Sequence, residues 1–120
     1  MKTILVVDDS PGGRELVCLT LEMAGYRVIE APDGQRALDI ARADPPELFI
    51  LDIQMPVMDG YALIGHLRED RRFATTPVIA LTASAMRGDS ERALAAGFSC
   101  HMSKPVDLKA LRNAVVELIG

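Results

Sequence analysis

The chain has 120 residues, with 17 acidic against 13 basic side chains and a net charge of −4 at neutral pH. That length fits one domain with enough chain to bury a core unaided by disulfide or metal. Its 49 % hydrophobic and 25 % charged content excludes a disordered or fibrous protein, and its acidity argues against direct nucleic-acid or anionic-membrane binding.

Met1-Lys2-Thr3 leads into a first apolar run, Ile4–Val7, which stops at Asp8. It is too short for a secretory apolar region of about 7–15 residues. Nothing later reaches the roughly 20 residues of a membrane span, so no membrane insertion is expected. Leu16, Leu19, Thr20 and Met23 follow helical spacing, with Met23 assigned to the core and Gly25 as the stop. Arg27 to Glu30 is a weaker strand. Ala37, Ile40 and Ala41 mark a second helix that ends before Pro45-Pro46. Leu48–Leu51 is the third strand, and Tyr61, Ile64, Leu67 and Arg68 mark the third helix, weakened by Gly65. Val78–Leu81 is the fourth strand. A fourth helix carries Ala93 and Ala96, begins between Ala85 and Ser90, and stops at Gly97. Phe98 to Met102 is the fifth strand. Leu108, Leu111, Val115 and Leu118 form a fifth helix, with Asp107 as N-cap.

The order is five strand–helix pairs: an α/β, flavodoxin-like doubly wound sandwich with a parallel sheet and helices on both faces. One domain over 1–120 is expected. The start at Met1 and the finish after a fifth helix favour a standalone module. Two cysteines, Cys18 and Cys100, make no disulfide framework and point to a reducing cytoplasm.

Ligands of such sheets bind beyond the carboxyl ends of the strands. Asp8 and Asp9 follow strand one, Asp52 ends strand three, Thr82 ends strand four, and Lys104-Pro105 follows strand five. Each alone has an ordinary reading: Asp9 as a helix cap, Lys104 as a solvated cation, Thr82 bonded to backbone. If strands one and three are neighbours at the switch point, three carboxylates crowd one cleft and would raise one another's pKa unless a cation joins them. Oxygen-only ligands suit Mg2+ with retained water. A phosphoryl group on one carboxylate would then be balanced by Mg2+, the Lys104 ammonium and the Thr82 hydroxyl.

In order, Asp8-Asp9, Asp52 within Leu51-Asp52-Ile53-Gln54-Met55-Pro56, Asp59-Gly60, Thr82-Ala83 and Lys104-Pro105 resemble the receiver domain of two-component response regulators, over nearly the whole chain. Chemotaxis-type single-domain receivers and hybrid-kinase or phosphorelay receivers both fit, the latter through 82–89. The resemblance implies strand order 2-1-3-4-5 and Asp52 as acceptor of phosphate from a phosphohistidine. The donor would be a histidine kinase or phosphotransfer protein, and the readout would pass to a downstream protein partner or effector. It implies Mg2+ on Asp9 and Asp52 side chains, on the Gln54 backbone carbonyl and, largely through water, on Asp8. Thr82 and Lys104 would contact the phosphoryl group, with Ala83 small enough to keep the approach open. It implies a switch that catalyses only its own phosphorylation and dephosphorylation, read out on helix four, strand five and helix five. Met86, Arg87, His101, Lys109 and Arg112 are the output candidates. Gln54 and Ser84 flank the site and are candidates for tuning hydrolysis of the acyl phosphate.

The chain departs from the family at His101, where Tyr or Phe is common in mid-strand five. Coupling through His101 that varies between about pH 5 and 8 is the expectation. Among other readings, an Mg2+ phosphatase would want Asp-x-Asp after strand one, where Asp8-Asp9-Ser10 stands. A flavin binder would want aromatic flanks, and aromatics are 4 %. Gly12-Gly13 lacks the Lys-Ser/Thr of a phosphate loop and is read as a mobile loop with Pro11 opening the helix. Gly97-Phe98-Ser99-Cys100-His101 lacks the last Gly of a nucleophile elbow and places Ser99 in a strand. Met55 and Met58 are expected to pack in the loop after Asp52.

Overall fold

The central strands are apolar on both faces because each feeds two cores. In the computed structural model, which describes residues 1–55, 57–83 and 89–120 and only the backbone of Pro11, Asp89 and Ser90, the strands are β1 (Thr3–Val7), β2 (Arg27–Ala31), β3 (Leu48–Asp52), β4 (Val78–Thr82) and β5 (Cys100–Ser103). The helices between them are α1 (Pro11–Met23), α2 (Gly34–Ala43), α3 (Gly60–Glu69), α4 (Asp89–Ala96) and α5 (Leu108–Ile119). The strands pair in parallel, in the order β2-β1-β3-β4-β5.

Side chains alternate across a strand. Leu5, Val7, Phe49, Leu51, Val78 and Ala80 therefore face one core, where Ala37, Leu38 and Ala41 of α2, Leu63, Ile64 and Leu67 of α3, and Ala93 of α4 meet them. Ile4, Val6, Leu48, Ile50, Ile79 and Leu81 face the other, covered by Val17, Cys18 and Leu21 of α1 and by Leu111 and Val115 of α5. The chain winds outward from β1 in both directions. The β1/β3 junction is thus the switch point, and the loops above it open a cleft.

Three expectations are corrected. The α1 stripe of Leu16, Leu19 and Met23 faces outward, at 54, 54 and 81 % exposure. Met23 is not a core residue. Residues 16–19, 21 and 23 offer two overlapping apolar stripes at 100° per residue, and the sheet takes the one through Val17, Cys18 and Leu21. Gly12-Gly13 lies in the first turn of α1 rather than in a loop, since Pro11 opens the helix directly after Ser10. β5 begins at Cys100, so Phe98 and Ser99 precede it. Gly97, at φ +112°, turns the chain out of α4, and the Ser99 N–H reaches the Val78 carbonyl at 2.8 Å while its Oγ accepts from Val78 N–H.

Arg68, placed on α3 by its spacing, points its guanidinium at the carbonyls of Phe73, Thr76 and Gly97, at 2.7 Å each for the nearest nitrogen. It ties the end of α3 to the turns before β4 and after α4. Asp33, Asp59 and Asp107 cap α2, α3 and α5 by accepting the N–H of Arg36, Ala62 and Ala110.

Candidate functional site

β1 carries its ladder one residue further. The Asp8 N–H bonds the Ala31 carbonyl at 3.2 Å, which brings its side chain to the cleft floor, 2 % exposed. Asp8 Oδ1 accepts from the Ser10 N–H at 2.8 Å, leaving Oδ2 to face inward. Asp9, the next residue, is exposed at the rim. β3 pairs Asp52 with Leu81, and the Ile53 N–H continues onto the Leu81 carbonyl at 2.8 Å. Asp52 is therefore pinned beside Asp8, 3 % exposed. Carboxylate oxygens of Asp8, Asp9 and Asp52 lie within 4.8 Å of one another.

β4 ends at Thr82, buried and paired with Ser103. The Lys104 N–H bonds the Thr82 carbonyl at 2.7 Å, which turns the Lys104 side chain back over the cleft. Its Nζ donates to Asp52 Oδ2 at 2.9 Å and to Asp8 Oδ2 at 3.1 Å. The Lys104–Pro105 peptide is cis. Below this cation a cleft of about 260 Å3 runs between α1 and α5, with Val17, Leu81 and Val106 as its apolar wall.

Burial and the neighbouring charges shift the titration of Asp52 and Lys104. Burial pushes the Asp52 carboxyl above its usual value; the Lys104 hydrogen bond and charge oppose this, and the Asp8 charge adds to it. For Lys104, burial pulls downward, but its hydrogen bonds to Asp52 and Asp8 outweigh it and hold the ammonium above its usual value. One ammonium thus faces three carboxylates, a donor set of hard oxygens that fits Mg2+.

The five strand-end residues read from sequence, Asp8, Asp9, Asp52, Thr82 and Lys104, come together here. Gln54 joins them in a way spacing did not show. Its backbone N–H donates to Asp52 Oδ1 at 3.0 Å, and its side chain crosses to β4 and bonds Thr82 and Ala83. An amide side chain two residues beyond the β3 carboxylate, long enough to reach the next strand end, was the available signal. Arg14 was missed. It bonds the Asp8 carbonyl through Nη1 and pairs with Glu30 at 3.0 Å, bracing the β1–α1 corner.

The output candidates divide. His101 sits opposite Ala80, half-buried, and its Nε2 has no hydrogen-bond partner among the described residues. Lys109 and Arg112 are exposed on α5. Met86 and Arg87, with Ser84, lie outside the described residues. Met55 is buried, and Met58 packs against the core as expected.

Residues 4–116 match the family model for the response regulator receiver domain. The chain belongs to this family. It is 34 % identical to the polar-differentiation response regulator DivK of Brucella ovis, covering 99 % of this chain and 97 % of that one. Among solved structures, this receiver superposes on the chemotaxis protein CheY4 of Vibrio cholerae with a TM-score of 0.93 at 31 % identity, covering 99 % of both chains. It superposes with a TM-score of 0.90, at 33 % identity and 99 and 98 % coverage, on the receiver domain of the Pseudomonas aeruginosa sensor histidine kinase PA1611, which has a magnesium ion coordinated in its active-site cleft. The chain is a receiver domain of two-component signalling. No described helix is long and apolar enough to cross a membrane.

Proposed function

We propose that this receiver, over residues 1–120, accepts a phosphoryl group on Asp52 from the phosphohistidine of a sensor kinase or phosphotransfer protein in the cytoplasm. The observation that carries this is the Lys104 ammonium bridging Asp52 Oδ2 and Asp8 Oδ2 in a buried acidic cluster.

The chemistry follows from positions. An Asp52 carboxylate oxygen attacks phosphorus, the phosphorus–nitrogen bond of the phosphohistidine breaks, and the departing imidazole keeps the electron pair. Asp8, Asp9, Asp52 and the Gln54 carbonyl would hold Mg2+, which supplies positive charge against the phosphoryl oxygens. Lys104 neutralises charge on one side of the acceptor and Thr82 offers its hydroxyl on the other. Water later cleaves the acyl phosphate, so the chain resets itself and processes no outside substrate.

Phosphorylation adds about −1.5 to −2 charges, judged from phosphoserine-type groups, and draws Thr82 and Lys104 inward. Thr82 pairs with Ser103 across the β4–β5 edge, so its displacement reaches β5 directly. His101, Lys109 and Arg112, with Met86 and Arg87, would present the changed face to a downstream protein partner. The half-buried His101 stands in place of an aromatic switch and would carry the coupling to that face. Replacing it by Tyr should change partner affinity.

The decisive experiment is Mg2+-dependent labelling with acetyl phosphate, read as an intact-mass gain. Wild type gains one phosphoryl group and Asp52→Asn gains none; equal labelling of both overturns the assignment.

A further inference from the structure

Gln54 touches both the acceptor carboxylate and the groups that end β4. Its backbone N–H donates to Asp52 Oδ1 at 3.0 Å. Its side-chain Nε2 donates to Thr82 Oγ1 at 2.7 Å, and its Oε1 accepts from the Ala83 N–H at 2.9 Å. Chemistry decides this orientation of the carboxamide. The Ala83 N–H can only donate, so the oxygen must face it, and the NH2 group then meets the Thr82 hydroxyl oxygen.

An amide oxygen thus rests on a backbone N–H beside a hydroxyl. These are the groups a phosphoryl oxygen would need on the side of the cleft away from Lys104, which already bonds Asp52 Oδ2. The seat is built, and Gln54 fills it.

We propose that the Gln54 carboxamide is an internal competitor for the phosphoryl group: it occupies the Ala83 N–H and engages Thr82 in the resting chain, and it leaves when Asp52 is phosphorylated. This rests on Asp52 being the acceptor. No covalent bond to Gln54 forms or breaks. The exchange replaces the hydrogen bonds of a neutral amide by charge-assisted ones to an oxyanion, which are roughly twice as strong. Gln54 therefore sets a threshold that an oxyanion on Asp52 passes and a neutral ligand does not. It acts as a positioning residue, through Thr82 and Ala83.

The test compares wild type, Gln54→Met and Gln54→Ala by saturation kinetics of Asp52 labelling with acetyl phosphate and Mg2+. Met keeps the length and loses the bridge, and Ala removes the side chain should the thioether disturb packing. Losing net hydrogen bonds worth about 1 kcal/mol or somewhat more predicts labelling about tenfold more efficient. The gain should fall mainly on the half-saturating donor concentration. Gln54→Glu, which brings a negative charge to the same seat, should label more slowly than wild type. The Ala83 amide resonance should move when wild type binds beryllofluoride and should already be displaced in Gln54→Met. A merely structural role would lower thermal stability and labelling together. Labelling lost in Asp52→Asn but unchanged or slower in both Gln54→Met and Gln54→Ala overturns this proposal alone. No labelling of wild type, or equal labelling of Asp52→Asn, overturns the acceptor assignment and this proposal with it.

Discussion

Gly60 donates its backbone N–H to the Ile53 carbonyl at 2.9 Å, and a Cβ placed on it would stand 2.7 Å from Ile53 Cα and 3.1 Å from the Asp52 carbonyl oxygen. The loop after the acceptor strand closes onto the start of α3 so tightly that only a hydrogen fits. Backbone, not a flexible side chain, is what a methyl group would meet. Gly60→Ala should therefore cost about 1–3 kcal/mol, the usual penalty of overpacking. It should also weaken Mg2+ binding, because Ile53 cannot move without displacing Asp52 and Gln54. Urea unfolding and a metal titration followed by amide resonances check both parts.

Asp52 carries a pH signature. Burial raises its carboxyl in the folded chain above its unfolded value, which is near 3.9 for an aspartate. A raised folded pKa favours the folded protonated form. The stability it contributes is fully present below the unfolded pKa and is lost as pH rises through the folded value. In chelator, Asp52→Asn should thus lack this loss and be more stable than wild type at neutral pH. Added Mg2+ should stabilise wild type by binding only the folded chain and narrow the gap. Denaturant midpoints from pH 4 to 7, with and without Mg2+, measure this; a wild type whose midpoint rises relative to Asp52→Asn over that range would contradict it.

The two apolar stripes of α1 make a paired prediction. Leu21 is 0 % exposed and Leu19 is 54 % exposed. Leu21→Ala should lose about 2–5 kcal/mol. Leu19→Gln should change stability by less than about 0.5 kcal/mol. Chemical unfolding of both variants distinguishes the observed packing from the reverse one.

Arg68 should prove costly to replace although it lies away from the cleft. Arg68→Met takes the donor from the Thr76 and Gly97 carbonyls, at about 1–3 kcal/mol per group that water fails to reach, and leaves the Phe73 carbonyl with the Thr76 N–H alone. Arg68→Lys should recover only part, since an ammonium cannot reproduce the planar fork. Thermal melts of the three proteins rank them.

Burial, aided by the Glu30 charge and hydrogen bond, pushes the Cys18 thiol up to about 12. Thiolate is the reactive form, so Cys18 should resist alkylation in the folded chain at pH 8 and react once the chain is unfolded in urea. Mass spectrometry after timed exposure to iodoacetamide gives the answer directly.

The parallel sheet and the gathering of strand ends at one edge could be read from sequence because both depend on periodicity and topology, while the strand order came from the resemblance to receiver domains. Apolar runs such as Leu48–Leu51 announce strands covered on both sides, and a parallel sheet carries the residues after each strand to one edge. Hence Asp8, Asp52, Thr82 and Lys104, far apart along the chain, were expected as neighbours. What periodicity could not decide was rotation and rotamer. In α1 either of two apolar stripes satisfies the helical period, and only contact with Ile4, Ile50 and α5 selects Val17, Cys18 and Leu21. The side-chain contacts of Gln54 and Arg68 were hidden for a related reason. Long polar side chains reach backbone groups distant in sequence, and no local pattern marks the atom they reach. At β5 the capping turn of Gly97 displaced the strand start by two residues, because a left-handed turn consumes chain that hydrophobicity alone assigns to the strand.

The outermost strands differ from the inner three. β2 places Arg27 and Glu30 on exposed positions, and β5 has only four residues, carrying His101 and Ser103. Unpaired backbone at a sheet margin invites another chain to add a strand, and charge and brevity discourage it. A receiver domain of two-component signalling implies a kinase or phosphotransfer protein and a downstream partner, and contacts with successive partners have to be reversible. Margins that refuse a permanent extra strand leave its loops and helices as the places where other proteins can grip and let go.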